Sequence, residues 1–312
     1  MWLIPFILTS LLLLLLVSGG YTFFVACQRG VERSWLDPEA LKNTPYSKYS
    51  DLIQRSNQWL LDNHAQDHYV STGDGLRLHG LWVPAENPRG TVLLAHGYRS
   101  TKLVDFGLVF GLYHDLGMNL LIPDQRCHGL SEGKYITFGV KESEDMLCWL
   151  EYHNANLFRG PVILSGLSMG ASTVLYLADR KLSDNVRGII ADCGFSSPAA
   201  IIGKVFTGVT HLPAAPSVWV ADLFARVFAG FSLYEKSSLK SLPSNKLPIL
   251  MVHGTGDDFV PCSMTEEGYA VCSGQKQILL VEGAGHGLSF LREPERYKEL
   301  VVKFLDDHLE GP

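Results

Sequence analysis

No charged side chain precedes Arg29 in this chain of 312 residues. A cleavable signal peptide normally places lysine or arginine ahead of its apolar core. Here only the terminal amine stands there, which argues against removal of the segment. The same lack counts against lipoprotein processing, although Phe24-Val25-Ala26-Cys27 loosely resembles a lipobox. A basic run is also missing, and with a net charge of -6 at pH 7 nucleic acid drops out as an expected partner. No two of the six cysteines, Cys27, Cys127, Cys148, Cys193, Cys262 and Cys272, form a Cys-x-x-Cys pair. The scattered thiols read as small buried hydrophobes, in keeping with a reducing compartment, and no metal site is expected. No internal repeat is visible, and only the N-terminal leucines are of low complexity.

What is present begins in the same segment. Leu11 to Val17 is almost pure leucine, and Tyr21, Phe23 and Phe24 extend the apolar character. A helix of this length can cross the roughly 30 Å hydrocarbon core of a bilayer, with Trp2 and Tyr21 placed for its interfaces. Residues 1–28 are therefore expected to be an N-terminal membrane anchor. Arg29 and Arg33 flank it on the carboxyl side, and the positive-inside rule then places the following domain in the cytoplasm. Residues 29–65 read as a polar connector with Pro38 and Pro45, followed by an amphipathic helix over 47–63 whose apolar side is expected to hold Tyr49, Leu52, Ile53, Trp59, Leu60 and Leu61. From residue 66 to about 310, apolar strands alternate with helical stretches, which predicts one α/β domain with a mostly parallel sheet. Two strands should flank the turn Thr72-Gly73-Asp74-Gly75, and helices are expected near 103–116 and 139–155.

The densest signal is Gly166-Leu167-Ser168-Met169-Gly170. It lies between the strand-like run Pro161–Leu164 and a helical run from Ala171. Strand, Gly-x-Ser-x-Gly, helix is the setting of a nucleophile elbow. The turn is tight enough to strain the serine backbone and to demand small neighbours two positions away. A serine hydroxyl needs a base, and in this arrangement acid and histidine follow in that order. Asp257 stands at the end of the strand Leu247–His253, and His286 lies on a glycine-flanked loop after the strand Gln277–Val281. Ser168 is thus the candidate nucleophile, His286 the base and Asp257 the orienting carboxylate. Asp258 and Asp192 are rival acids and His253 a rival base; for each, a structural role at a turn or strand end fits better. The two oxyanion donors are expected to be the backbone amides of Met169 and Tyr98, the latter on His96-Gly97-Tyr98-Arg99-Ser100. His96 is read as ordering that loop.

These residues resemble the α/β-hydrolase superfamily. More narrowly they are similar to its serine-aminopeptidase-like and monoacylglycerol-lipase-like branch, which includes membrane-anchored bacterial members. The matching segments, in order, are His96-Gly97-Tyr98, Asp124 to Ser131, Gly166 to Gly170, His253 to Pro261 and Gly285-His286-Gly287. The resemblance implies an eight-stranded, mostly parallel sheet flanked by helices, with a short helical cap. It also implies that Asp124, Arg126, His128 and Gly129 brace the loop after the fourth strand. Residues 195–245, rich in apolar residues and proline, fall where such a cap would be inserted. Their apolar side could line an acyl groove, in which case Trp219 is expected to affect acyl-length preference, could touch the membrane, or could simply pack.

The expected activity is a membrane-anchored serine hydrolase acting on an ester or thioester of an acyl or lipid-like substrate, without cofactor. A serine aminopeptidase-like peptidase is the alternative within enzymes; it would need a carboxylate near the site to hold the substrate's ammonium. A non-catalytic hydrolase-fold binding protein is the alternative outside them. Substrate by analogy with a fold is associational only.

Overall fold

The computed structural model describes residues 2–30, 46–107 and 109–309. Its strands are β1 (Gln66–Ser71), β2 (Arg77–Val83), β3 (Gly90–Ala95), β4 (Met118–Pro123), β5 (Val162–Leu167), β6 (Val186–Asp192), β7 (Ile249–Gly254) and β8 (Lys276–Val281). They form one sheet of 8 strands in the order β1-β2-β4-β3-β5-β6-β7-β8. β2 pairs antiparallel with β1 and β4, and every later pairing is parallel. The helices are α1 (Leu3–Cys27), α2 (Ser50–Asp62), α3 (Lys102–Asp105), α4 (Phe110–Asp115), α5 (Val140–Asn156) and α6 (Met169–Leu175). Then come α7 (Pro198–Thr210), α8 (Ala215–Phe224), α9 (Ser238–Ser241), α10 (Cys262–Val271), α11 (Ser289–Arg292) and α12 (Pro294–Leu309).

Helices cover both faces of the sheet, so its inner strands are buried on both sides and read as continuous apolar runs. β3, β4 and β7 are buried at every position. Side chains still alternate between faces. Val92 and Leu94 join Phe110 and Phe304 in one cluster, while Leu93 and Ala95 join Trp149 and Val174 in the other. The carboxyl ends of β3, β5, β6, β7 and β8 share one edge, the usual place for a ligand in such a sheet.

Two expectations change in detail. The helix expected near 103–116 is two short ones, α3 and α4, with the break at Phe106 and Gly107; glycine weakens a helix interior. In α2 the buried positions are Ile53, Asn57 and Leu60, whereas Leu52 and Leu61, expected on the apolar side, are exposed. The connector expected over 29–46 falls largely on 31–45, outside the described residues. Between β6 and β7, where the cap is expected, lie α7, α8, a π-helical turn at Ala225–Ala229 and α9. Ser197 caps α7 by accepting from the Ala200 amide at 3.2 Å, with Pro198 at the first turn, a combination suited to helix N-termini.

Candidate functional site

The elbow has the geometry its sequence demands. Ser168 sits at φ 57°, ψ -115°, a left-handed conformation that a side-chain-bearing residue adopts only at a cost of about 1–3 kcal/mol. The flanking glycines are needed for two different reasons. A Cβ on Gly166 would overlap the Gly170 carbonyl at the start of α6, whereas a Cβ on Gly170 would overlap the Ala95 carbonyl at the end of β3. α6 is buried at every residue, and Ser172 fixes it by donating to the Phe195 carbonyl at 2.8 Å while accepting from the Phe195 amide at 2.8 Å.

The fold brings the three sequence-predicted side chains together across 89 and 118 residues of intervening register. His286 Nε2 lies 2.8 Å from Ser168 Oγ, and His286 Nδ1 lies 2.6 Å from Asp257 Oδ2. The carboxylate makes Nδ1 the donor, which leaves Nε2 to accept from the serine hydroxyl. Asp257 Oδ1 accepts from the Phe259 and Val260 amides at 2.9 and 2.8 Å. His253 Nε2 is shared between the Val260 carbonyl at 3.0 Å and Asp257 Oδ2 at 3.2 Å. Burial works against the charged Asp257 carboxylate, but hydrogen bonds from His253 and His286 outweigh it and hold its pKa well below the usual range. The rivals make other contacts. Asp258 is exposed and takes Lys204 Nζ on its backbone carbonyl. Asp192 offers its main-chain carbonyl to the Ser168 amide at 2.8 Å, and burial pushes its carboxyl up to about 6. His253 is fully buried and its Nδ1 pairs with Thr265 Oγ1 at 2.6 Å.

The loop after β3 is held from three sides. Its Gly97 amide donates to Asp105 Oδ2 at 2.5 Å, and Ser100 Oγ donates to Asp105 Oδ1 at 2.5 Å. His96 Nε2 accepts from the Gln125 amide at 3.0 Å and its Nδ1 pairs with the Gly97 carbonyl at 2.9 Å. His128 repeats that pattern, accepting from the Arg99 amide at 3.0 Å and pairing with the Arg126 carbonyl at 2.9 Å. Each imidazole uses one nitrogen as acceptor and one as donor, which requires the neutral form. The Tyr98 amide lies between these anchored residues, and among the described residues neither it nor the Met169 amide donates to another protein group.

Above Ser168 is a cavity of about 440 Å³, within the size range of small-molecule sites. Its cap side is apolar, formed by Ile201, Ile202, Val205, Phe206, Val209 and Leu212. Trp219, the residue expected to sense acyl length, is not among these walls and is largely exposed. Among the described residues that line the cavity, none is aspartate or glutamate.

A family model described as the alpha/beta hydrolase family matches residues 92–300. The chain belongs to that family. Among curated proteins, this hydrolase is 31% identical over 239 residues to the uncharacterized protein YqkD of Bacillus subtilis, covering 76% of this chain and 78% of that one. It is 24% identical over 238 residues to an uncharacterized membrane protein of Saccharomyces cerevisiae, YNL320W, covering 75% and 77%. Among solved structures, the Pyrococcus furiosus esterase Pf2001 superposes with a TM-score of 0.65 at 24% identity, over 80% of this chain and 95% of that one. Est1E from Butyrivibrio proteoclasticus, solved with ferulic acid bound, gives 0.59 at 19% identity over 77% and 98%. These two likenesses are of fold.

In this hydrolase the segment after β4 is braced by ion pairs. Asp124 meets His79 at 2.7 Å and Lys102 at 2.6 Å, and Arg126 bonds both oxygens of Asp145 at 2.7 and 2.6 Å. Sequence reading missed Asp105, whose clamp on the loop leaves no motif, and whose carboxyl burial pushes up. It also missed the proximity of Cys193, a buried residue at φ 49°. Its sulfur lies within 4.8 Å of ligand atoms on Asp257 and His286. Burial pushes the Cys193 thiol well up.

Burial lowers the pKa of His96 and takes His128 from an ordinary 6.5 down to about 3. A histidine held neutral contributes stability that is present above 6.5 and lost as pH falls, because the unfolded chain then takes up a proton the folded chain refuses. Asp192 and Asp145, both raised to about 6, act in the opposite direction, so a difference is the clean readout. Relative to His128→Gln, the native chain should lose about 1.4 kcal/mol per pH unit below 6.5. Denaturant unfolding of both proteins from pH 7 to pH 5 measures this, and parallel curves would refute it.

Proposed function

We propose that this hydrolase is a membrane-anchored serine esterase that cleaves ester or thioester bonds of acyl or lipid-like substrates. The observation that carries the reading is the unbroken series Ser168–His286–Asp257, 2.8 and 2.6 Å per step, at the floor of an apolar cavity. His286 takes the Ser168 proton as the hydroxyl attacks the carbonyl carbon. The tetrahedral oxyanion is met by the Met169 and Tyr98 amides. His286 then protonates the departing alcohol or thiol. Water, deprotonated by His286, releases the acyl group in the reverse sequence. Asp257, kept ionised by its four donors, stabilises the imidazolium at each stage. The esterases with similar folds are consistent with this chemistry.

The same geometry speaks against the peptidase alternative, since an aminopeptidase must hold an ammonium group and no described residue lining the cavity is acidic. We assign residues 1–28 to an anchor, 29–65 to a connector and its helix, and 66–310 to the hydrolase domain with its cap at about 195–245. α1 is long and apolar enough to cross a membrane, and a yeast relative is named a membrane protein. Arg29 and Arg33 favour a cytoplasmic domain. The experiment is a fluorophosphonate label on the full chain, followed by a panel of acyl esters, acyl thioesters and aminoacyl amides. Labelling at Ser168 with turnover of the first two classes supports the reading. No labelling, or preferential cleavage of aminoacyl amides, overturns it.

A further inference from the structure

α1 changes character along its length. From Leu3 to Val17 nearly every large apolar side chain is exposed. From Ser18 onward the helix has two working faces. Gly19, Gly20, Phe23 and Phe24 pack on α8 and the turn after it, with Gly19 against Val220, Gly20 against Phe224, and the Phe23 and Phe24 rings 5.7–6.3 Å from Phe224 and Phe228. Ser18, Tyr21, Thr22, Val25 and Ala26 form the other face, and all five line the cavity above Ser168. Their spacing is that of one helical stripe. The end of α1 is also tied to the loop that carries Tyr98. The Tyr98 hydroxyl donates to the Ala26 carbonyl at 2.7 Å, and Arg99 Nη2 donates to the Val25 and Gln28 carbonyls at 2.7 and 3.0 Å.

We infer that the last turns of α1 are part of the substrate site, a wall that sets which acyl chains fit, and that the occupant is the acyl chain of a lipid drawn from the membrane α1 enters. Length supports the second half. The exposed stretch Leu3 to Val17 extends only about 22 Å at 1.5 Å per residue, short of the roughly 30 Å of hydrocarbon to be crossed. Taken together with the turns from Ser18, the 25 residues of α1 cover that thickness. Those turns are fastened to the cap, so the cap's exposed Val209, Leu212, Trp219, Leu223 and Val227 must come to the bilayer with them. The side of the cavity lined by Ser18 and the exposed Tyr21 then faces lipid rather than water.

This inference rests on the esterase reading, and the test separates the two. The full chain, in phosphatidylcholine nanodiscs, is assayed with p-nitrophenyl butyrate and p-nitrophenyl palmitate. Val25→Leu, Val25→Phe and Val25→Trp fill the α1 wall by increasing amounts. The palmitate-to-butyrate ratio of kcat/KM should fall step by step, by about tenfold or more at tryptophan. The small first step keeps the series informative if the largest side chain disturbs folding. Leu12→Trp, on the exposed stretch, should leave the ratio unchanged. A ratio indifferent to Val25, with Ser168 still labelled by fluorophosphonate, overturns the inference and leaves the esterase standing. So does a shift of equal size in Leu12→Trp, which would reduce α1 to a tether. Failure of the unaltered chain to cleave either ester overturns both.

Discussion

Ser168→Ala is expected to lower turnover of a cleaved acyl ester by on the order of 10⁶-fold, while leaving the fold intact, since only the Oγ atom at 2.8 Å from His286 Nε2 is removed. The size follows from the loss of the covalent route: the remaining donors and the cavity orient substrate and stabilise an oxyanion, but nothing supplies the acyl-enzyme. His286→Ala should cost nearly as much alone. The double variant should be scarcely worse than either, because base and nucleophile act as one unit. Steady-state kinetics on the four proteins tests this. Full additivity of the two losses, or a Ser168→Ala protein within tenfold of the native rate, would mean that the chemistry runs elsewhere.

Gly170→Ala is expected to have the largest structural effect of any single methyl added to the site. The new Cβ would overlap the Ala95 and His96 carbonyls, backbone atoms at the end of β3 that cannot rotate away. Relieving the clash requires α6 to move off the sheet, and with it Ser168. A loss of about 4 kcal/mol or more is expected, together with loss of fluorophosphonate labelling. Gly111→Ala is the control: nothing lies within 4 Å of its added Cβ, and alanine in place of glycine in α4 should be stabilising by up to about 1 kcal/mol. Urea unfolding of both variants decides the matter. Equal midpoints would show that the elbow is looser than its contacts indicate.

The contrast between these glycines shows how far a sequence can be read. Gly166 and Gly170 were legible because the elbow is a local motif: strand, turn and helix are contiguous, and steric demand falls on positions fixed by spacing. Asp257 and His286 were legible because strand order places their loops at the same sheet edge as Ser168. Asp105 was not, since its role depends on α3 stopping after four residues and presenting a carboxylate to an amide eight residues earlier. The place of Trp219 was not legible for a related reason. Composition marks the cap as apolar, but which apolar residues turn inward depends on how α7 and α8 pack, and α8 gives much of its surface to α1.

The sequence by itself determined the alternating α/β pattern, the elbow, the chain order of the candidate serine, carboxylate and histidine, and the uncharged leading segment. Each of these is a matter of periodicity, residue type or chain order, and so is written locally. The tertiary structure decided which acid meets His286, how buried carboxylate and imidazoles are held in one charge state, and where the apolar leader goes. Residues 18–26 look in sequence like the tail of an anchor; packed against the cap and tied to the Tyr98 loop, they become a wall of the cavity. That outcome depends on contacts between segments about 70 to 200 residues apart, a separation at which hydrophobic patterning names what must be buried but not against what.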